Sequence, residues 1–133
     1  MSDSSHPAKE CAVLFADLVG STQLYQRVGD TSAFEVVDRS IRAMRIAVET
    51  KRGRVVKHTG DGLMAVFSDA DSAADATLAI HQTLKELPST AEQQRLAVRI
   101  GFHFGAVVAS GTDVFGDTVN FAARLAELAS PGK

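Results

Sequence analysis

Two apolar runs separated by a short polar break, between residues 54 and 67, restrict this chain more than any other feature. Arg54-Val55-Val56-Lys57 and Leu63-Met64-Ala65-Val66-Phe67 are rich in β-branched and large apolar residues. The five residues between them, His58-Thr59-Gly60-Asp61-Gly62, are turn-formers. The pattern predicts an antiparallel hairpin. Two strands alone are marginal in water, so the remaining chain must supply further strands and a helical layer to cover them.

Those elements can be read in order. Cys11 to Leu18 is a short apolar run that reads as a buried strand. It breaks at Val19-Gly20-Ser21-Thr22, where Gly permits a tight turn and Ser or Thr can cap a helix. Leu24, Tyr25 and Val28 mark one short helix. Phe34, Val37, Ile41, Met44 or Arg45, and Val48 mark a longer one. Lys51-Arg52-Gly53 closes it, with cations at the negative end of the dipole and Gly53 as the expected C-cap. After the hairpin, Ser68-Asp69-Ala70-Asp71 caps a third helix. Its expected apolar face is Ala74, Leu78, Ile80 or His81, Leu84 and Leu87, and Pro88 stops it. A polar loop is expected over 88–95. Leu96, Val98, Ile100 and Phe102 alternate as a strand, with Ala106–Ala109 as its partner across Phe104-Gly105. Gly111-Thr112-Asp113 turns the chain, and Thr118 to Ala129 forms a last amphipathic helix.

The order fits a ferredoxin-like α+β sandwich, an antiparallel sheet with helices packed on one face. The third strand then lies between the first and second, which brings Asp17 and Asp61 to one edge. Residues 1–9 read as a polar lead-in and 10–133 as the domain. At 133 residues, 45% hydrophobic and 23% charged, the chain has the composition of one globular domain, not of a disordered or low-complexity segment. A net charge of −2 provides no broad basic field for nucleic acid or anionic lipid. Cys11 is the single cysteine, which excludes a disulfide framework and a Cys-rich zinc site and fits a reducing, cytoplasmic compartment. No apolar run approaches the roughly 20 residues of a membrane span, and the start lacks the regions of a signal peptide.

Several residues could carry chemistry. Two carboxylates converging at a sheet edge repel each other unless a cation lies between them, and Mg²⁺ suits one or two carboxylates plus substrate phosphates. Asp17 and Asp61 are that pair, although each alone also reads as a strand-end or turn aspartate. The turn Leu18-Val19-Gly20-Ser21-Thr22 leads into a helix N-terminus, whose amides can cradle phosphate; it lacks the glycine and lysine spacing of a Walker motif. Asn120 and Arg124, four apart, share a helix face and could orient a hydroxyl and stabilise a transferring phosphoryl group, or form a solvated polar face. Lys57 and Asp113 could read adenine, whose edge offers a donor and an acceptor, or be a surface lysine and a turn aspartate. His103, between two phenylalanines, reads as structural, and His58 has no assigned role. There is no Gly-x-Ser-x-Gly elbow and no Cys–His cue for a nucleophile.

Three stretches together resemble the class III nucleotide cyclase catalytic domain, the adenylate and guanylate cyclase family. They are Phe15-Ala16-Asp17-Leu18-Val19-Gly20-Ser21-Thr22, Lys57-His58-Thr59-Gly60-Asp61-Gly62, and Asp113-Val114-Phe115-Gly116-Asp117-Thr118-Val119-Asn120-Phe121-Ala122-Ala123-Arg124-Leu125. The resemblance spans about residue 10 to 133. It implies that Asp17 and Asp61, with the Leu18 carbonyl, bind two divalent cations, Mg²⁺ or Mn²⁺, and that Val19, Gly20, Ser21 and Thr22 hold the phosphates. It also implies that Lys57 and Asp113 select adenine, where guanylate cyclases typically carry Glu and Cys. Asn120 and Arg124 would position the ribose and stabilise the transition state. The implied activity is adenylate cyclase, ATP to 3′,5′-cyclic AMP and pyrophosphate. The implied assembly is a homodimer with shared sites, Asp17 and Asp61 from one subunit and Lys57, Asp113, Asn120 and Arg124 from the other.

Two departures from the family pattern stand out. The family continues past this last helix with further strands and another phosphate-contacting lysine, a role Lys133 does not fill, so the domain reads as C-terminally truncated. Ala106 also stands where some members have Arg. The alternatives are a non-catalytic cyclase-like module that binds nucleotide or regulates a partner, and a diguanylate cyclase, whose hairpin signature Gly60-Asp61-Gly62-Leu63-Met64 lacks.

Overall fold

The computed structural model describes residues 8–88 and 96–131. The elements run β1 (Ala8–Val19), α1 (Ser21–Val28), α2 (Asp30–Thr50), β2 (Arg54–His58), β3 (Gly62–Phe67), α3 (Ala70–Glu86), β4 (Ala97–Ser110), β5 (Asp113–Phe115) and α4 (Asp117–Leu128). All strand pairs are antiparallel, in the order β2-β3-β1-β4-β5. β3 therefore lies between β1 and β2, as the ferredoxin-like reading expects. β1 begins at Ala8, inside the expected lead-in; residues 1–7, most of the 88–95 loop, and Gly132 and Lys133 lie outside the described residues. Among the described residues no helix is long and apolar enough to cross a membrane.

Alternation along β1 builds two cores. Ala12, Leu14, Ala16 and Leu18 point to one face and pack with Leu63, Ala65, Phe67, Val98 and Ile100 under α1, α2 and α3. This is the helical layer the sequence predicts, but its contact residues are smaller than expected. Ala33, Ala43, Ala47, Ala73 and Ala76 are buried, whereas Phe34 and Leu78 are 58% and 70% exposed. Small side chains let α2, α3 and the sheet approach closely, which turns the larger neighbours outward. Cys11 and Val13 point to the other face, with Met64, Val66, Val107 and Val114, and α4 covers that face through Ala122.

The seat of α4 corrects the expected turn at Phe104-Gly105. β4 is one continuous strand, paired with β1 from Ala97↔Val19 to Val108↔Ala8. A Cβ on Gly105 would lie 2.6 Å from the Thr118 hydroxyl oxygen, and one on Gly101 would run into the backbone at Leu125 and Ala126. These glycines clear space for a helix; they do not reverse the chain. Gly53 is similar. The left-handed residue after α2 is Arg52, at φ 69°, and a Cβ on Gly53 would strike Phe67 and Val48.

The sheet curls toward the α4 face. β2 and β5 are its two edges, and in a flat sheet they would stand about 19 Å apart, four spacings of about 4.8 Å. Yet Val56 of β2 and Val114 of β5 join one core. Side chains from the two edges also bond directly, as the site below requires.

Candidate active site

Asp17 is the last β1 residue paired with β3, opposite Gly62, and the Leu18 N–H donates to the Asp61 carbonyl at 2.9 Å. One main-chain bond thus ties the strand end to the hairpin turn and brings both aspartates to the same cleft, about 390 Å³, with Leu18, Thr59 and Glu127. Gly62 permits this approach: a Cβ there would lie 2.6 Å from Asp17 Oδ1 and run into the Ala16 carbonyl. Burial pushes the Asp17 carboxyl above its ordinary range, and Glu127 adds to the rise; the Thr59 hydroxyl and Arg99 oppose it. A half-buried carboxylate near two other acids calls for positive charge.

The donors fit a hard cation. They are carboxylate oxygens beside a main-chain segment, the ligand class of Mg²⁺ and Mn²⁺. Among the described residues no cluster of three or more His, Cys, Asp or Glu could hold a metal ion. Asp17 and Asp61 would therefore fill only part of a coordination shell, leaving positions for water or a substrate's oxygens.

Val19, Gly20, Ser21 and Thr22 follow immediately. Gly20, at φ 94°, is the N-cap of α1, and no side chain caps the helix. Ser21 does not serve as the cap; its hydroxyl donates to Asp61 Oδ2. The first turn of α1 thus presents amides without a side-chain cap beside the carboxylate pair, an arrangement suited to an anion.

Lys57 and Asp113 meet across the sheet's two edges. Lys57 Nζ donates to Asp113 Oδ2 at 3.1 Å. Asp113 Oδ1 accepts from the Val114 N–H at 2.7 Å. Burial works against the Asp113 charge, but the Val114 amide and the Lys57 ammonium outweigh it and hold the carboxyl below its usual range.

Asn120 and Arg124 share a flank of α4, as their spacing predicts, and line a second cleft of about 430 Å³ with His103 and Phe121. The structure does not bring them into the Asp17–Asp61 cleft, which α4 reaches with Ala123 and Glu127 instead. His103 packs edge-on against Phe121, ring centroids 4.6 Å apart. His103, which the sequence reads as structural, and Thr59 and Glu127, to which it gives no role, are cleft residues. For His103 a signal existed: alternation puts it on the same strand face as Gly101 and Gly105, where something must approach closely.

Comparisons with known proteins identify the family and the fold. An adenylate cyclase of Streptomyces coelicolor is 36% identical over 121 residues, 91% of this chain and 30% of the relative. The chain spans about a quarter to a third of the length of the curated relatives it matches. Among solved structures, an adenylate/guanylate cyclase/hydrolase from Silicibacter pomeroyi is 33% identical with a TM-score of 0.76, over 96% of this chain and 74% of that one. A bacterial light-regulated adenylyl cyclase is 27% identical with a TM-score of 0.81, over 92% and 71%. The family model described as "Adenylate and Guanylate cyclase catalytic domain" matches residues 4–133, and the chain belongs to that family.

Proposed function

We propose that this domain is an adenylate cyclase, converting ATP to 3′,5′-cyclic AMP and pyrophosphate at sites shared between two copies of the chain. The observation that carries the choice of adenine is the Lys57–Asp113 pair at 3.1 Å. The carboxylate can accept from the exocyclic amine and the ammonium can donate to the neighbouring ring nitrogen. Guanine presents the reverse edge and leaves both groups unpaired. The relatives named as adenylate cyclases support the same choice.

In this reading Asp17 and Asp61, with the Leu18 carbonyl, hold two divalent cations. When bound, these supply activation of the ribose 3′-hydroxyl and neutralisation of the leaving pyrophosphate. The chain's own groups do the rest. Ser21 fixes the Asp61 carboxylate, and the amides from Val19 to Thr22 hold phosphate oxygens. Asn120 orients the ribose. Arg124 stabilises the charge that grows on the α-phosphoryl group as the 3′-oxygen bonds to it and the bond to pyrophosphate breaks.

The test is cyclic AMP production from ATP with Mn²⁺ over a protein-concentration series, with GTP as competitor. Product rising more steeply than concentration, and a preference for ATP that falls in Lys57→Glu, is the expected outcome. ATP bound without turnover would favour the cyclase-like binding module. An ATP preference unchanged by Lys57→Glu would remove the base-reading role.

A further inference from the structure

We propose that Arg54 is a positioning residue for base selection: it straps the β4–β5 turn to β2 and so holds Asp113 beside Lys57. This rests on reading Lys57 and Asp113 as the adenine-selecting pair. Arg54 Nη1 donates to the Thr112 carbonyl at 2.9 Å, across 58 residues of sequence and from one edge of the sheet to the other. Thr112 immediately precedes Asp113, so the bond fixes the main chain from which the selecting carboxylate projects.

The turn needs such a tether. β5 has only three residues and forms a sheet edge. Gly111 is exposed, at φ 62°, with nothing within 4 Å of where a Cβ would stand. β5 is held by its pairing with β4, down to Ser110↔Asp113, and by the packing of Val114; Thr112, in the turn itself, is held by neither.

The geometry of β2 is arranged for both bonds. Residues three apart on a regular strand point to opposite faces. Here the register slips between Val55 and Lys57, so that Arg54 pairs with Val66 and Lys57 with Met64. Val66 and Met64 belong to the same face, and the bulge turns both cations toward it. Arg54 also adds positive charge near Asp113. Its planar fork is better suited than an ammonium to hold a carbonyl in one direction.

The experiment compares the parent with Arg54→Met, which keeps most of the apolar stem, and Arg54→Lys, which keeps the charge. It measures kcat and KM for ATP and GTP, and follows the Asp113 carboxyl by NMR titration. Arg54 is exposed, and circular dichroism checks that the variants are folded. In Arg54→Met the ATP-to-GTP ratio of kcat/KM should fall about tenfold, mainly through KM for ATP. Asp113 should titrate at higher pH, and Arg54→Lys should recover part of both. An unchanged ratio, or a changed ratio with an unmoved Asp113 titration, overturns the proposal. A parent without ATP preference defeats the adenine reading itself, and the Thr112 and Asp113 amide resonances then decide whether Arg54 positions that carboxylate: a shift in both variants supports it, whereas a change in Arg54→Met alone is the loss of a nearby charge and overturns it.

Discussion

Lys57 and Asp113 are partly exposed, with side-chain accessibilities of 49% and 27%, so their attraction contributes little to folding even at 3.1 Å. Its sign with pH is nevertheless fixed. The folded carboxyl titrates below its ordinary range, chiefly because the Val114 amide and Lys57 outweigh burial. Its stabilising effect is full above the usual carboxylate range and disappears as pH falls through the depressed folded value. Asp113→Asn should therefore lower stability at neutral pH by no more than about 1 kcal/mol. The difference should vanish in acid, as urea unfolding at several pH values would reveal. A variant equally destabilised in acid would mean that Asp113 acts through packing. Under the proposed adenine reading, the larger consequence of this pair would lie in recognition, where leaving both groups unpaired against the wrong base would cost more than their separation costs the fold.

The elements depend more heavily on glycine than on charge. Gly101 lies where α4 crosses β4, and a Cβ there meets main chain that cannot rotate away. Gly101→Val should destabilise the domain by about 3 kcal/mol or more, an overpacking cost at its upper range. Gly111→Ala meets no atom and bears only the left-handed backbone, about 1 kcal/mol. Urea midpoints for the two variants would check that order; equal losses would mean that α4 shifts easily on its seat. The same glycines explain how far the sequence was legible. The β2–β3 hairpin, the Asp69 cap on Ser72 and the meeting of Asp17 with Asp61 follow from local turn chemistry and strand order, and all are found. The continuity of β4 does not follow, because a glycine cleared for a helix and a glycine at a turn look alike in one chain. Nor does Glu127 beside Asp17, since α4 must first be placed on the far face. The buried alanines of α2 and α3 do not follow for a related reason: close packing favours the small residues that a hydrophobic pattern ranks low.

At the scale of the whole molecule, one helix separates two clefts. α4 presents Asn120 and Arg124 to one cleft and Ala123 and Glu127 to the other, where Asp17 and Asp61 lie. If the chemistry needs Arg124 and the carboxylate pair on the same phosphates, a second copy must supply one half, and a two-fold axis makes two equivalent sites. Asp17→Ala and Arg124→Ala should each abolish activity alone. Mixed in equal amounts, half of the dimers carry one of each variant. In such a dimer one site receives both defects and the other receives neither, so about a quarter of parental activity should return. Mixing with confirmed dimers and no recovery would place each complete site within one chain, and would require α4 to move until Arg124 reaches the carboxylates. Recovery near a quarter requires no such movement, because each cleft would then be completed by a second copy.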